Sequence, residues 1–190
     1  MRKRKRETSN GNNAGNVWKL IWGLNVQNVV KHFLWKATHN VLPTKQNLYK
    51  KQITESDCCP ICEREPETIM HVVWSCPAAS DVWVENDSPV NKWYSSDYEF
   101  MDLWVKLNAF IKEEKVEVVA CIMRKIWMRR NLLLFEKKFY HSRNLISAAT
   151  QGLREFKLSQ DQLQKTQMQG NVDRSVIKWE KPEEMVVKAN

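Results

Sequence analysis

The chain has 190 residues, 43% hydrophobic and 27% charged, which suits one folded domain with tails rather than several domains. Only 5 Gly and 6 Pro argue against a turn-rich β-sandwich, and no apolar run approaches the roughly 20 residues of a membrane helix. The net charge of +8 is uneven: residues 1–50 hold ten Lys/Arg against one acidic residue, while residues 51–190 hold twenty against twenty-one, so a localised basic surface points to a polyanionic partner.

Residues 1–16, MRKRKRETSNGNNAGN, read as a disordered basic arm because they offer almost nothing apolar to bury. Within them Arg2, Lys3, Arg4, Lys5 and Arg6 form a run suited to nuclear import or phosphate contact, and the expected location is the nucleus, with the cytoplasm as the alternative. The plain alternative for the run is an ordinary solvated tail. No apolar run follows it, so it is not a secretory signal. The default compartment is then reducing, where clustered cysteines bind metal more often than they form disulfides.

Order is expected from Val17. Trp18, Ile21, Trp22, Val30, Phe33, Leu34, Ala37 and Val41 recur at helical spacings, and Pro43 breaks the pattern. TKQNLYKKQI reads as a short helix started by a Thr N-cap. Lys31, Lys36, Lys45, Lys50 and Lys51 are candidates for a basic nucleic-acid-binding face, against the reading of ordinary solubilising lysines.

Residues 57–77, DCCPICEREPETIMHVVWSCP, carry four of the five cysteines. Cys59, Cys62, His71 and Cys76 follow the pattern C-x2-C-x8-H-x4-C. Three thiolates and one imidazole suit tetrahedral Zn2+, and four protein ligands make the site structural, with no open position for catalysis. A segment this short cannot build its own core. Zinc contributes on the order of 10–16 kcal/mol to folding such peptides at neutral pH. Cys58 competes with Cys59 as ligand, and Cys59 is preferred because Pro60-Ile61 gives the two-residue knuckle. Cys121 reads as a small buried hydrophobe. His32, His39 and His141 have no ligand-spaced companions.

PAASDVWVEN then reads as a helix with Pro77 in its first turn, and DSPVNKWYSSD as a loop. The next helix has the stripe Phe100, Leu103, Trp104, Leu107, Phe110 and Ile111. KVEVVACIMRKIWMRRNLLLFEKK is a long helix with basic pairs at Arg124-Lys125 and Arg129-Arg130, and SRNLISAATQGLREFKLSQDQLQKTQ is a final amphipathic helix. The nine tryptophans read as core anchors, but Trp74, beside the knuckle, and Arg129 and Arg130 are also candidate nucleic-acid contacts. The expected fold is mainly α: a small helical domain pinned by a zinc knuckle, then long amphipathic helices. The expected divisions are a disordered arm at 1–16, the zinc-binding domain at 17–95, a helical connecting region at 96–168 and a linker at 169–190.

Trp18-x-x-x-Trp22, KHFLWKATHNVLPTKQNL, CPIC, ETIMHVVWSCPAASDVW and IWMRRNLLLF occur in one order. In this the chain resembles the zinc-binding region that follows the polymerase in reverse transcriptases of plant LINE-type (non-LTR) retrotransposons, over roughly residues 17 to 140. The family's Cys-His motif falls on Cys59, Cys62, His71 and Cys76. The tail WEKPEEMVVKAN is similar to the lead-in of an RNase H domain, broken off before the catalytic carboxylates, with MVVKAN as a strand-like segment. The polymerase Asp-Asp signature is absent, and Glu113-Glu114 and Glu183-Glu184 read as surface charge. The resemblance implies a non-enzymatic module that holds RNA or a DNA–RNA hybrid, with other retroelement proteins as further partners. The alternative is a zinc-pinned protein-interaction domain without nucleic-acid binding. No membrane partner is expected.

Overall fold

The computed structural model describes residues 17–90 and 99–170, with side chains through residue 166. The Arg2–Arg6 run, the arm at 1–16, the last part of the 87–97 loop and the strand-like MVVKAN lie outside the described residues. So does all of the expected linker but its first two residues. The described residues are helical, without a strand beyond one isolated antiparallel bridge between Cys58 and Pro66. The chain divides into two compact units, Met1–Lys157 and Leu158–Asn190.

The first unit begins with α1 (17–22) and α2 (Asn28–Thr38). Val30, Phe33, Leu34 and Ala37 form the buried stripe of α2, as the 3.6-residue period requires. Val41, placed by periodicity on that face, is exposed because α2 has already ended at Thr38. Short helix α3 (Lys45–Lys50) starts where Thr44 accepts a hydrogen bond from the Asn47 amide at 3.2 Å, an N-cap that satisfies one orphan donor.

Next come the cysteine knuckle, a π-helical turn (His71–Ser75) and α4 (Pro77–Trp83), which has Pro77 at its start. In α5 (Phe100–Phe110), Phe100, Leu103, Trp104 and Leu107 are buried, whereas Phe110, in the expected stripe, ends the helix with its ring in solvent.

The long helix α6 (Glu113–Glu136) is the centre of the unit. It packs against α2, α5 and the π turn. Val119, Ala120, Cys121, Ile122 and Met123 are all buried, so neighbours surround the helix here rather than covering one stripe. Cys121 is therefore the small core residue its sequence context predicts, and burial pushes its thiol up to about 11. Leu145, Ile146, Ala149 and Leu153 of α7 (Ser142–Gly170) complete the core. One hydrophobic cluster runs from Val17 to Leu153, continuous across the boundary expected near residue 95.

Two buried carboxylates fasten this core. Glu117 of α6 accepts the Asn25 amide at 2.7 Å and Lys157 Nζ at 2.5 Å, holding the α1–α2 connection and α7 to the same helix. Glu67 does the same for the knuckle. In the second unit the described residues continue α7 as helix, with Leu158 and Leu163 exposed.

Candidate metal centre

The knuckle is built by local turns. Asp57 and Cys59 pair with the returning arm of the loop: Cys59 N–H donates to Glu65 O at 2.8 Å and Glu67 N–H to Asp57 O at 2.7 Å. Glu63 N–H closes onto Cys59 O at 2.9 Å, with Glu63 in the left-handed region (φ 55°). This loop turns the chain tightly enough for Cys59 and Cys62 to face one point.

The other two ligands come from an unusual helix. Thr68 Oγ1 accepts the His71 amide at 2.9 Å and so caps the turn that starts at Ile69. An α-helix would set positions five apart about 140° from each other around its axis. The π turn instead closes Cys76 N–H onto His71 O at 2.7 Å, an i→i+5 bond that brings His71 and Cys76 to the same side. Val73 O would ordinarily accept from residue 77, which is proline and has no N–H. The Trp83 indole N–H fills that role at 2.8 Å. Trp83 and Trp74 stand 5.1 Å apart behind the turn.

The result is four ligand atoms, from Cys59, Cys62, His71 and Cys76, all within 4.8 Å of one another. The Cys59 and Cys76 sulfurs are 4.0 Å apart, and Cys62 Sγ is 3.3 Å from His71 Nε2. Tetrahedral zinc with Zn–S near 2.3 Å and Zn–N near 2.0 Å needs ligand separations of about 3.8 and about 3.5 Å, so the set fits the ion. Cys59, His71 and Cys76 are buried and Cys62 is half-buried. Cys58 stands outside the group, and its backbone forms the bridge to Pro66.

Electrostatics prepare the site. A hydrogen bond to Cys76, together with burial, pushes the Cys59 thiol up to about 12. The same hydrogen bond holds the Cys76 thiol below its ordinary value, helped by the backbone N–H groups of Ala78 and Ala79 at the start of α4. Burial depresses the His71 imidazolium, but hydrogen bonds and charge from Cys59 and Cys62 outweigh it, and its pKa is raised. Zinc would be held by these four side chains and would supply a cross-link. The ligand count leaves no position for an activated water.

Glu67 anchors the centre to α6. It is wholly buried and accepts Arg130 Nε at 2.8 Å, Arg130 Nη2 at 2.5 Å and the Lys45 amide at 2.6 Å. Arg129 and Arg130, singled out as nucleic-acid contacts, are both buried. Arg130 is 3% exposed, locked to Glu67 and lying over the Trp127 ring. Arg129, equally buried, donates to Ala78 O and Tyr140 O and lies over Phe139; burial holds its pKa below the usual arginine range. Trp74 is 1% exposed, so no base can stack on it. Periodicity could not reveal this, because the partners lie far along the chain and the π turn departs from the 3.6-residue period.

The lysines differ among themselves. Lys36, Lys50 and Lys51 are exposed, while Lys31 and Lys45 are half-buried. Lys31 Nζ donates to Trp22 O at 3.0 Å, and Lys45 Nζ approaches Thr54 Oγ1 at 3.4 Å. No helix among the described residues is long and apolar enough to cross a membrane.

Comparison with known proteins agrees with this geometry. The family described as zinc-binding in reverse transcriptase matches residues 3–83, which include all four ligands. A protein of Arabidopsis thaliana named as a ribonuclease H protein is 28% identical over 72 residues, 38% of this chain and 12% of that relative. The match therefore spans about an eighth of the relative's length. No solved structure matches.

Proposed function

We propose that this chain, whose residues 3–83 match the family described as zinc-binding in reverse transcriptase, is a non-catalytic module that binds nucleic acid, RNA by preference. The observation that carries the reading is the closed ligand set: three thiolates and an imidazole organise a scaffold and leave the metal no site for substrate. Around that scaffold the charge is one-sided, with ten Lys/Arg against one acidic residue in the first fifty positions. Lys36 and Lys50 of that stretch, and Lys51 just beyond it, present positive charge to solvent. Reverse transcription and RNase H cleavage, on this reading, belong to domains of relatives, and this segment holds the template or hybrid for them. The basic run Arg2–Arg6 supports a nuclear location.

Filter binding of a single-stranded RNA across a salt titration tests it. Affinity should fall as salt rises, and the log–log slope should drop by about 0.7 for each phosphate-contacting lysine removed. Replacing Lys36, Lys50 and Lys51 together should weaken binding without unfolding the chain. Affinity indifferent to salt would overturn the reading.

A second reading, a zinc-pinned protein-interaction domain, is favoured by the aromatic cluster at the end of α6. Phe135 is 80% exposed, and Phe139 and Tyr140 are each about half exposed nearby in sequence. Retained folding with no RNA affinity at low salt would decide for it.

A further inference from the structure

Among the described residues, Trp18 and Trp35 line a cavity. Together with Val17, Ile21, Thr38, His39 and Met101 of α5 they line a cleft of about 250 Å³. The cleft is smaller than the roughly 300–1,000 Å³ of pockets for drug-sized ligands and suits a single ring system. No carboxylate lines it.

Each indole packs against a neighbouring ring. Trp18 packs on Trp22 with ring centroids 4.9 Å apart, and Trp35 packs on His39 at 4.7 Å. His39 Nδ1 lies 2.8 Å from Trp35 O, an acceptor only, so Nδ1 carries the proton and fixes the ring against the indole. Trp18 is 51% exposed, an unusual outlay of apolar surface for a residue with no packing duty on that face. Rings immobilised beforehand lose little entropy when a flat ligand arrives.

The two helices that carry the tryptophans also carry exposed cations. Lys19 and Lys36, each next in sequence to one of the two tryptophans, are exposed. Aromatic faces beside cations are the combination that binds single strands: bases stack while phosphates meet the positive charges.

We propose that the Trp18–Trp35 cleft is a base-stacking site for single-stranded nucleic acid. This rests on the reading that the chain binds nucleic acid and locates where that binding engages the bases. It replaces Trp74, whose ring is enclosed, as the aromatic contact.

The test uses the full zinc-loaded chain and two labelled probes of equal length and charge, an oligouridine and its abasic counterpart, read by fluorescence anisotropy. The oligouridine should bind the more tightly. Trp18→Ala should weaken it by about 5- to 150-fold, the range for loss of one stacked base. Trp18→Phe should retain most of the affinity, and the abasic probe should bind all three proteins alike. Circular dichroism and zinc content should stay unchanged in both variants, since Trp18 is half exposed.

Equal affinity for the two probes would overturn the stacking site and leave phosphate binding standing. A base preference that survives Trp18→Ala would also overturn it. Failure of both probes to bind would overturn the site and the nucleic-acid reading together, and would make protein the occupant.

Discussion

Replacing Arg130 with methionine isolates the contact that ties the metal centre to the central helix. Glu67 would keep the Lys45 amide and lose both guanidinium donors, at 2.8 and 2.5 Å, in a place with no access to water. Breaking a buried pair from one side costs about 3–5 kcal/mol, because one charge is left uncompensated. At about 2–4 °C per kcal/mol for a domain of this size, the midpoint of thermal unfolding should drop by about 6–20 °C. Glu67→Gln, which strands Arg130 instead, should cost a comparable amount. The double variant should cost clearly less than the sum, since neither charge is then stranded. Urea unfolding followed by tryptophan fluorescence, with zinc saturating, measures all three. A loss under about 1 kcal/mol for Arg130→Met would refute the reasoning, as would strict additivity of the two changes.

Zinc should bind with one ion per chain; mass-spectrometric metal analysis should show it in wild type and Cys58→Ser and lost from Cys59→Ser and His71→Ala. Because the metal-free Cys59 thiol is held up to about 12, it stays protonated across the neutral range, and zinc must displace that proton. Zinc affinity should therefore rise about tenfold or more per pH unit between pH 6 and 8 in competition with a chelator, and a flat profile would contradict the assignment. Trp83→Phe removes the donor to Val73 O and should cost about 1–3 kcal/mol in urea unfolding while zinc stoichiometry holds.

The features legible in the sequence rest on local mechanism. Thr44 and Pro77 mark helix starts because a hydroxyl cap and a missing N–H act within one turn, and α3 and α4 begin where they stand. The ligand spacing is equally local, and it assembled one cluster. The fate of Arg129, Arg130 and Trp74 is not local. A basic pair on an amphipathic helix reads as solvent-facing until Glu67, sixty-three residues away from Arg130, supplies a buried counter-charge. Spacing in a 3.6-residue frame likewise could not place Trp74, because the π turn shifts the frame between His71 and Cys76. The stripe of α5 fails at Phe110, the last helical residue, whose ring is in solvent, while Ile111 beside it packs against the core.

The clasp between Glu67 and Arg130 makes the knuckle inseparable from the helices C-terminal to it. The matched family ends at residue 83, yet the helix that satisfies Glu67 begins at Glu113. A peptide cut at the family boundary would hold zinc but carry a naked buried carboxylate and an unroofed hydrophobic wall. Metal removal should be felt as far as α6, and damage to α6 should be felt at the metal.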